Sequence, residues 1–97
     1  MSTPVEAYVG DVGTEVILDT NESLLTAVDQ AIKVRKPSGV EETWEGSVVE
    51  DTKVSHTTGT GDFDEAGIYK LLAYVEFPSW SGHGKMVAIR VSSLYEG

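Results

Sequence analysis

Few side chains in this sequence are equipped for chemistry. His56 and His83 are its only histidines, and they stand on separate segments. A zinc site takes three or four ligands, often with histidines a few residues apart. A hydrolytic triad takes a histidine beside a nucleophile and an acid. Neither pattern occurs, and no nucleophile-elbow motif is present. Asp62, Asp64 and Glu65 lie in a Gly-rich stretch that suggests calcium. The other ligands of an EF-hand loop, including its closing Glu, are missing, so the stretch reads as an acidic turn. Gly10-Asp11-Val12-Gly13 and Gly59-Thr60-Gly61 lack the Gly-Lys-Ser/Thr ending of a phosphate loop and also read as turns. No catalytic residue, cofactor or metal ligand is assigned. A carboxylate mechanism is the one form of catalysis left open. With no cysteine, disulfides, thiolate nucleophiles and Cys-based metal sites are excluded, and the absence fits a reducing compartment.

Aromatic side chains are the more informative candidates. Phe77-Pro78-Ser79-Trp80-Ser81-Gly82-His83-Gly84 places two aromatic residues among small ones. Trp, Ser and Gly together are typical of adaptable binding loops. Two readings stand side by side: a recognition loop, or a plug in which Phe77 and Trp80 fold back onto the core. On the segment before it, Tyr69, Leu71, Ala73, Val75 and Phe77 share one face, which should be core. Leu72 and Tyr74 share the other face with Lys70 and Glu76. They form either a contact surface or a face covered by the chain's own N-terminal segment. Leu72, Tyr74, Phe77, Trp80 and His83 are therefore the candidate partner-binding residues. Lys33, Arg35 and Lys36 form the one basic stretch and balance nearby acids.

These residues must be positioned by strands. Alternation of apolar and polar residues recurs, with turn signals between. Strands are expected over Val5–Val9, Glu15–Asp19, Asp29–Lys36, Glu42–Val49, Thr52–Thr58, Gly67–Phe77 and Met86–Tyr95. Trp44 belongs on an inner face and Glu45 in solvent, while His56 reads as an outward strand residue. Leu24, Leu25, Val28 and Ile32 have helical spacing, so one helical turn is expected near residues 22–27. Pro37-Ser38-Gly39 is a tight turn and residues 78–84 are a loop. About seven strands with hardly any helix imply a single domain over residues 1–97, either a sandwich or a small barrel.

A local pattern favours the sandwich. Asp64-Glu65-Ala66-Gly67-Ile68-Tyr69-Lys70-Leu71 resembles the Asp-x-Gly-x-Tyr-x-Cys pattern of immunoglobulin-like domains. In those domains the tyrosine hydroxyl bonds back to the backbone upstream. The resemblance makes Asp64, Gly67 and Tyr69 a structural corner and implies an all-β, antiparallel, immunoglobulin-like sandwich. Leu71 falls where the disulfide cysteine would be, and no partner cysteine stands on the Ile32/Val34 strand. Trp44 takes the place of the core tryptophan of the facing sheet.

Length and charge bound the function. The chain has 97 residues, 40% of them apolar, and a net charge of −9. A domain of this size supports one core with little room for an enclosed active site. The acidic balance disfavours nucleic acid and anionic membranes, and it suits solubility or a partner with a basic face. The opening residues have no basic stretch or apolar run, so no signal peptide is expected, and no segment has the length of a membrane span.

Several segments together resemble small structural proteins of tailed phages and prophages: residues 8–19, Ile32-Lys33-Val34-Arg35-Lys36-Pro37-Ser38-Gly39, residues 64–74 and Trp80-Ser81-Gly82-His83-Gly84. The Val-Arg-Lys-Pro-x-Gly hairpin is similar to the N-terminal sandwich of phage baseplate proteins. The resemblance implies a non-enzymatic virion protein made in the host cytoplasm. It would be a capsid decoration or a tail or baseplate accessory protein. Its partners would be capsid or tail proteins, with a homo-oligomer possible within the particle. A free adhesion or carbohydrate-binding module is the alternative.

Overall fold

The computed structural model describes residues 6–93, which form nine strands and no helix. They are β1 (Glu6–Tyr8), β2 (Glu15–Asp19), β3 (Asp29–Arg35), β4 (Glu41–Glu45), β5 (Ser47–Val49), β6 (Lys53–Thr57), β7 (Gly67–Phe77), β8 (Trp80–His83) and β9 (Val87–Ser92). One sheet has the order β1-β9-β7-β3-β4, with β8 added alongside β7, and the other has the order β2-β6-β5. The inner faces meet with β3 against β6 and β2 against β7. The result is an all-β, two-sheet sandwich.

Side-chain alternation determines what lies between the sheets. On β7, Tyr69, Leu71, Ala73 and Val75 are buried while Ile68 and Lys70 are exposed. Ile32 and Val34 on β3, Ile89 and Val91 on β9, and Val16 and Leu18 on β2 join the same cluster. Phe63, from the loop before β7, fills the space beside Tyr69 with ring centroids 5.4 Å apart and edges meeting faces. Full burial of each such aromatic residue contributes about 2–3 kcal/mol.

Nine strands stand where seven are expected, for two local reasons. The run from Glu42 to Val49 divides at Gly46, and the chain passes from one sheet to the other there. A Cβ on Gly46 would lie 2.5 Å from Val54 Cγ1 and 3.3 Å from Ala31 Cα, so only glycine lets the chain cross between the sheets. Residues 78–84 are not a loop. They turn back after Phe77, and β8 pairs with the end of β7 with Phe77 opposite Trp80. The pairing is also not wholly antiparallel, because β1 runs parallel to β9.

Other expectations are corrected locally. Residues 22–27 carry no helical turn. Ala27 N–H donates to Leu24 O over 3.1 Å in a β-turn that buries Leu24 and leaves Leu25 and Val28 in solvent. The helical spacing there is a coincidence of two buried residues, Leu24 and Ile32, and two exposed ones. Trp44 is buried as expected, but on β4, in the same sheet as β7 rather than the facing one. Val34, which stands directly opposite Leu71, is likewise in the same sheet as it. Val5, Leu94 and Tyr95 lie outside the described residues.

Candidate functional site

Glu65 N–H donates to the Tyr69 hydroxyl over 3.0 Å, and the buried ring anchors the loop before β7. Gly67 has φ of 131° and lies so close to the Pro37 turn that a Cβ would meet Pro37 Cβ at 2.7 Å. Asp64 reaches the ammonium of Lys36 at 2.7 Å, and Glu42 approaches it at 3.3 Å. Lys36 is 5% exposed, and the Gly61 carbonyl accepts a further bond from it. Burial alone would lower its pKa, but the two carboxylates outweigh burial and hold it above the ordinary lysine value. The bond from Lys36 holds Asp64 below the usual carboxylate range, and burial raises Tyr69. This end of the sandwich is therefore closed by a satisfied ionic plug.

His56 is on the core side of β6, not its outer side. Its ring stacks on Trp44 with centroids 4.7 Å apart. Nδ1 lies 2.8 Å from Glu45 O, and Nε2 lies 2.9 Å from Asp62 Oδ2. Asp62 also accepts from Gly59 N–H. The three acids of the Gly-rich stretch thus face three different partners: Asp62 meets His56, Asp64 meets Lys36, and Glu65 meets Ser38. Among the described residues no group of three or more His, Cys, Asp or Glu is placed to hold a metal ion. Among them, neither histidine bonds a hydroxyl that could serve as a nucleophile. No helix in the described part is long and apolar enough to cross a membrane.

The five candidate partner-binding residues all lie on β7 and β8, but on two faces. Leu72 and Tyr74 are half-buried on the outer face of the larger sheet. His83 is opposite Tyr74 in register, with ring centroids 5.2 Å apart. Lys33 Nζ sits over the Tyr74 ring, 5.2 Å from its centre. Phe77 and Trp80 point to the other side, stacked at 5.0 Å. Phe77 packs against the core, whereas Trp80 is 49% exposed. The plug reading thus holds for Phe77 and not for Trp80. Trp80 holds its place by lying over Gly82, where a Cβ would meet its Cζ3 at 2.6 Å. The 24–27 turn comes alongside, because Val28 N–H donates to Glu76 O over 2.7 Å. Exposed Val28 and Trp80 thus flank the end of β7 on its two edges.

The charge pattern of the outer face is a feature that spacing alone did not reveal. Lys33, Arg35, Lys70 and Arg90, four of the seven Lys and Arg residues in the chain, project from it. Asp29, Glu45 and Glu76 stand on the same face, nearer the hairpin, and Glu41 pairs with Arg35 at the other end. An open groove of about 640 Å3 lies over Lys33, Arg35, Lys70 and Leu72, with His83 and Met86 along one side. No family model, curated protein or solved structure matches this chain.

Proposed function

We propose that the chain is a non-enzymatic docking module that attaches to another protein through the tip of the β7–β8 hairpin. The observation that carries this reading is Trp80, held half in solvent on the Phe77 ring at the end of β7. An aromatic anchor with an ordered ring loses little side-chain entropy on binding, and such residues dominate interface energies. The net charge of −9 keeps the free protein soluble while this apolar tip is uncovered.

The finer reading is a tailed-phage virion accessory protein on the capsid, tail or baseplate, and the sequence resemblance supports it. Many copies would each bury a modest interface, and the lattice would make the sum strong. The test is mass spectrometry of purified particles from the source, with copy number. A copy number matching a capsid or tail lattice supports decoration, and a ring-sized one supports a baseplate or connector role. Absence from particles overturns the virion reading. A glycan-binding module then becomes the better account, because a half-exposed Trp ring also stacks on sugars, and a glycan array would test it.

A further inference from the structure

Two like-charge pairs lie on the β3–β7 ladder. Arg35 is directly opposite Lys70, and at the other end Asp29 is directly opposite Glu76. Like charges directly opposite each other destabilise a sheet. Arg35 has Glu41 as a counter-ion, but among the described residues Lys70, Asp29 and Glu76 have none within ion-pair distance. Between the two ends the ladder carries Leu72 and Tyr74, both half-buried, opposite Lys33 and Ala31, and the Lys33 ammonium lies over the Tyr74 ring. The face is thus cationic at one end, apolar but for Lys33 in the middle and anionic at the other.

We propose that this face binds a second copy of the chain, related by a two-fold axis that lies between the faces and runs across the strands. That rotation reverses the strand direction and keeps each strand over its own copy. Arg35 and Lys70 then meet the partner's Asp29 and the partner's Glu76, and both like-charge pairs are neutralised at once. Leu72 meets the partner's Tyr74 at the dyad, with the Lys33 ammonium of each copy kept on its own Tyr74 ring, so the interface has a largely apolar centre and a charged rim, as interfaces generally do. The groove over Lys33, Lys70 and Leu72 receives the partner's Tyr74 and the partner's His83. An isologous contact of this kind closes as a dimer.

Size sets the strength. With strands about 4.8 Å apart and residues about 3.3 Å apart, the face measures about 15 by 20 Å. That is below the roughly 800 Å2 per partner of a stable complex, so the dimer is weak, with Kd about 10 µM to 1 mM. Two acidic bodies also repel each other when salt is too dilute to screen them, while concentrated salt screens the contact pairs. Dimerisation should therefore peak at intermediate ionic strength. The surface is separate from the Trp80 tip, so a free dimer could still dock through its two hairpins.

The test is sedimentation equilibrium of the full chain up to about 1 mM protein, a range chosen to span the Kd expected for a small interface. Lys70→Glu and Glu76→Lys should each weaken self-association about tenfold or more, and an equimolar mixture of the two should restore a heterodimer. Lys53→Glu, which makes the same change in net charge on the other sheet, should leave self-association as it was. A chain that stays monomeric throughout overturns the proposal. So does a dimer indifferent to both reversals, or a mixture that fails to associate. Circular dichroism shows that each variant is folded. Copy number in particles is a separate readout, so the dimer and the docking reading can fail independently.

Discussion

Lys70 stands directly opposite Arg35 across the β3–β7 pair, and neither the strand pattern nor the core requires a cation there. Lys70 is exposed, and its nearest neighbours on β9 are Ala88 in register and Arg90 on the diagonal. Lys70→Glu should therefore stabilise the dilute monomer by a few tenths to about 1 kcal/mol. Urea denaturation at low protein concentration measures this. A loss of stability would mean that the pair is not strained. Natural surfaces often retain such costs where they serve binding.

The hairpin tip should separate anchor from plug. Trp80→Ala should cost less than about 1 kcal/mol, because the ring is half in solvent, lying over Phe77 and Gly82. Phe77→Ala removes a ring packed on the core and should cost about 1–3 kcal/mol. Gly82→Ala should displace the Trp80 ring with little loss of stability, seen as a change in tryptophan emission. Equal destabilisation by Trp80→Ala and Phe77→Ala would make both residues core.

The corner is expected to tolerate little. Gly67→Ala forces a side chain onto a positive φ and into Pro37, and should cost about 1–3 kcal/mol. Tyr69→Phe leaves the Glu65 N–H without its acceptor, for about 1–3 kcal/mol. Thermal melts of the two variants decide. If Tyr69→Phe melts like the wild type, the hydroxyl is not the anchor of the loop.

The ionic plug predicts the pH profile. Asp64 has its pKa lowered in the fold by Lys36, so its contribution is present above the unfolded value of about 3.9 and lost as pH falls through the lower folded one. Lys36 and Tyr69 have theirs raised, so their contributions are present below the unfolded values of about 10.4 and about 10 and lost as pH rises through the folded ones. Stability should thus have an acid and an alkaline limb, and Lys36→Met should make both shallower. Asp64 is about half exposed, so solvent screening keeps the effect modest. Unchanged limbs in Lys36→Met would remove the plug from the account.

Much of the fold was legible because alternation is local. Ile32, Val34, Leu71, Ala73, Val75, Ile89 and Val91 fall where their parity places them. The same parity carries Lys36 inward after Ile32 and Val34, and His56 inward after Val54, so both signals were in the sequence and hydrophilicity obscured them. The β8 hairpin was hidden for another reason. Pro78 fixes a negative φ, whereas the turns that usually close two-residue hairpins need a positive one at that position. Gly46 looked like a residue within a strand, since only the third dimension shows the other sheet pressing on it. The like-charge pairs depend on the register between β3 and β7, strands far apart in the chain, and alternation within each strand does not set that register.

The docking reading is tested most directly by hydrogen–deuterium exchange on the chain, alone and with the purified particles that the virion proposal names. The account predicts added protection in the second half of β7, in β8 and in the 24–28 turn, with Trp80→Ala abolishing both the protection and the binding. Protection confined to β2, β5 and β6, or binding that Trp80→Ala leaves intact, would contradict it.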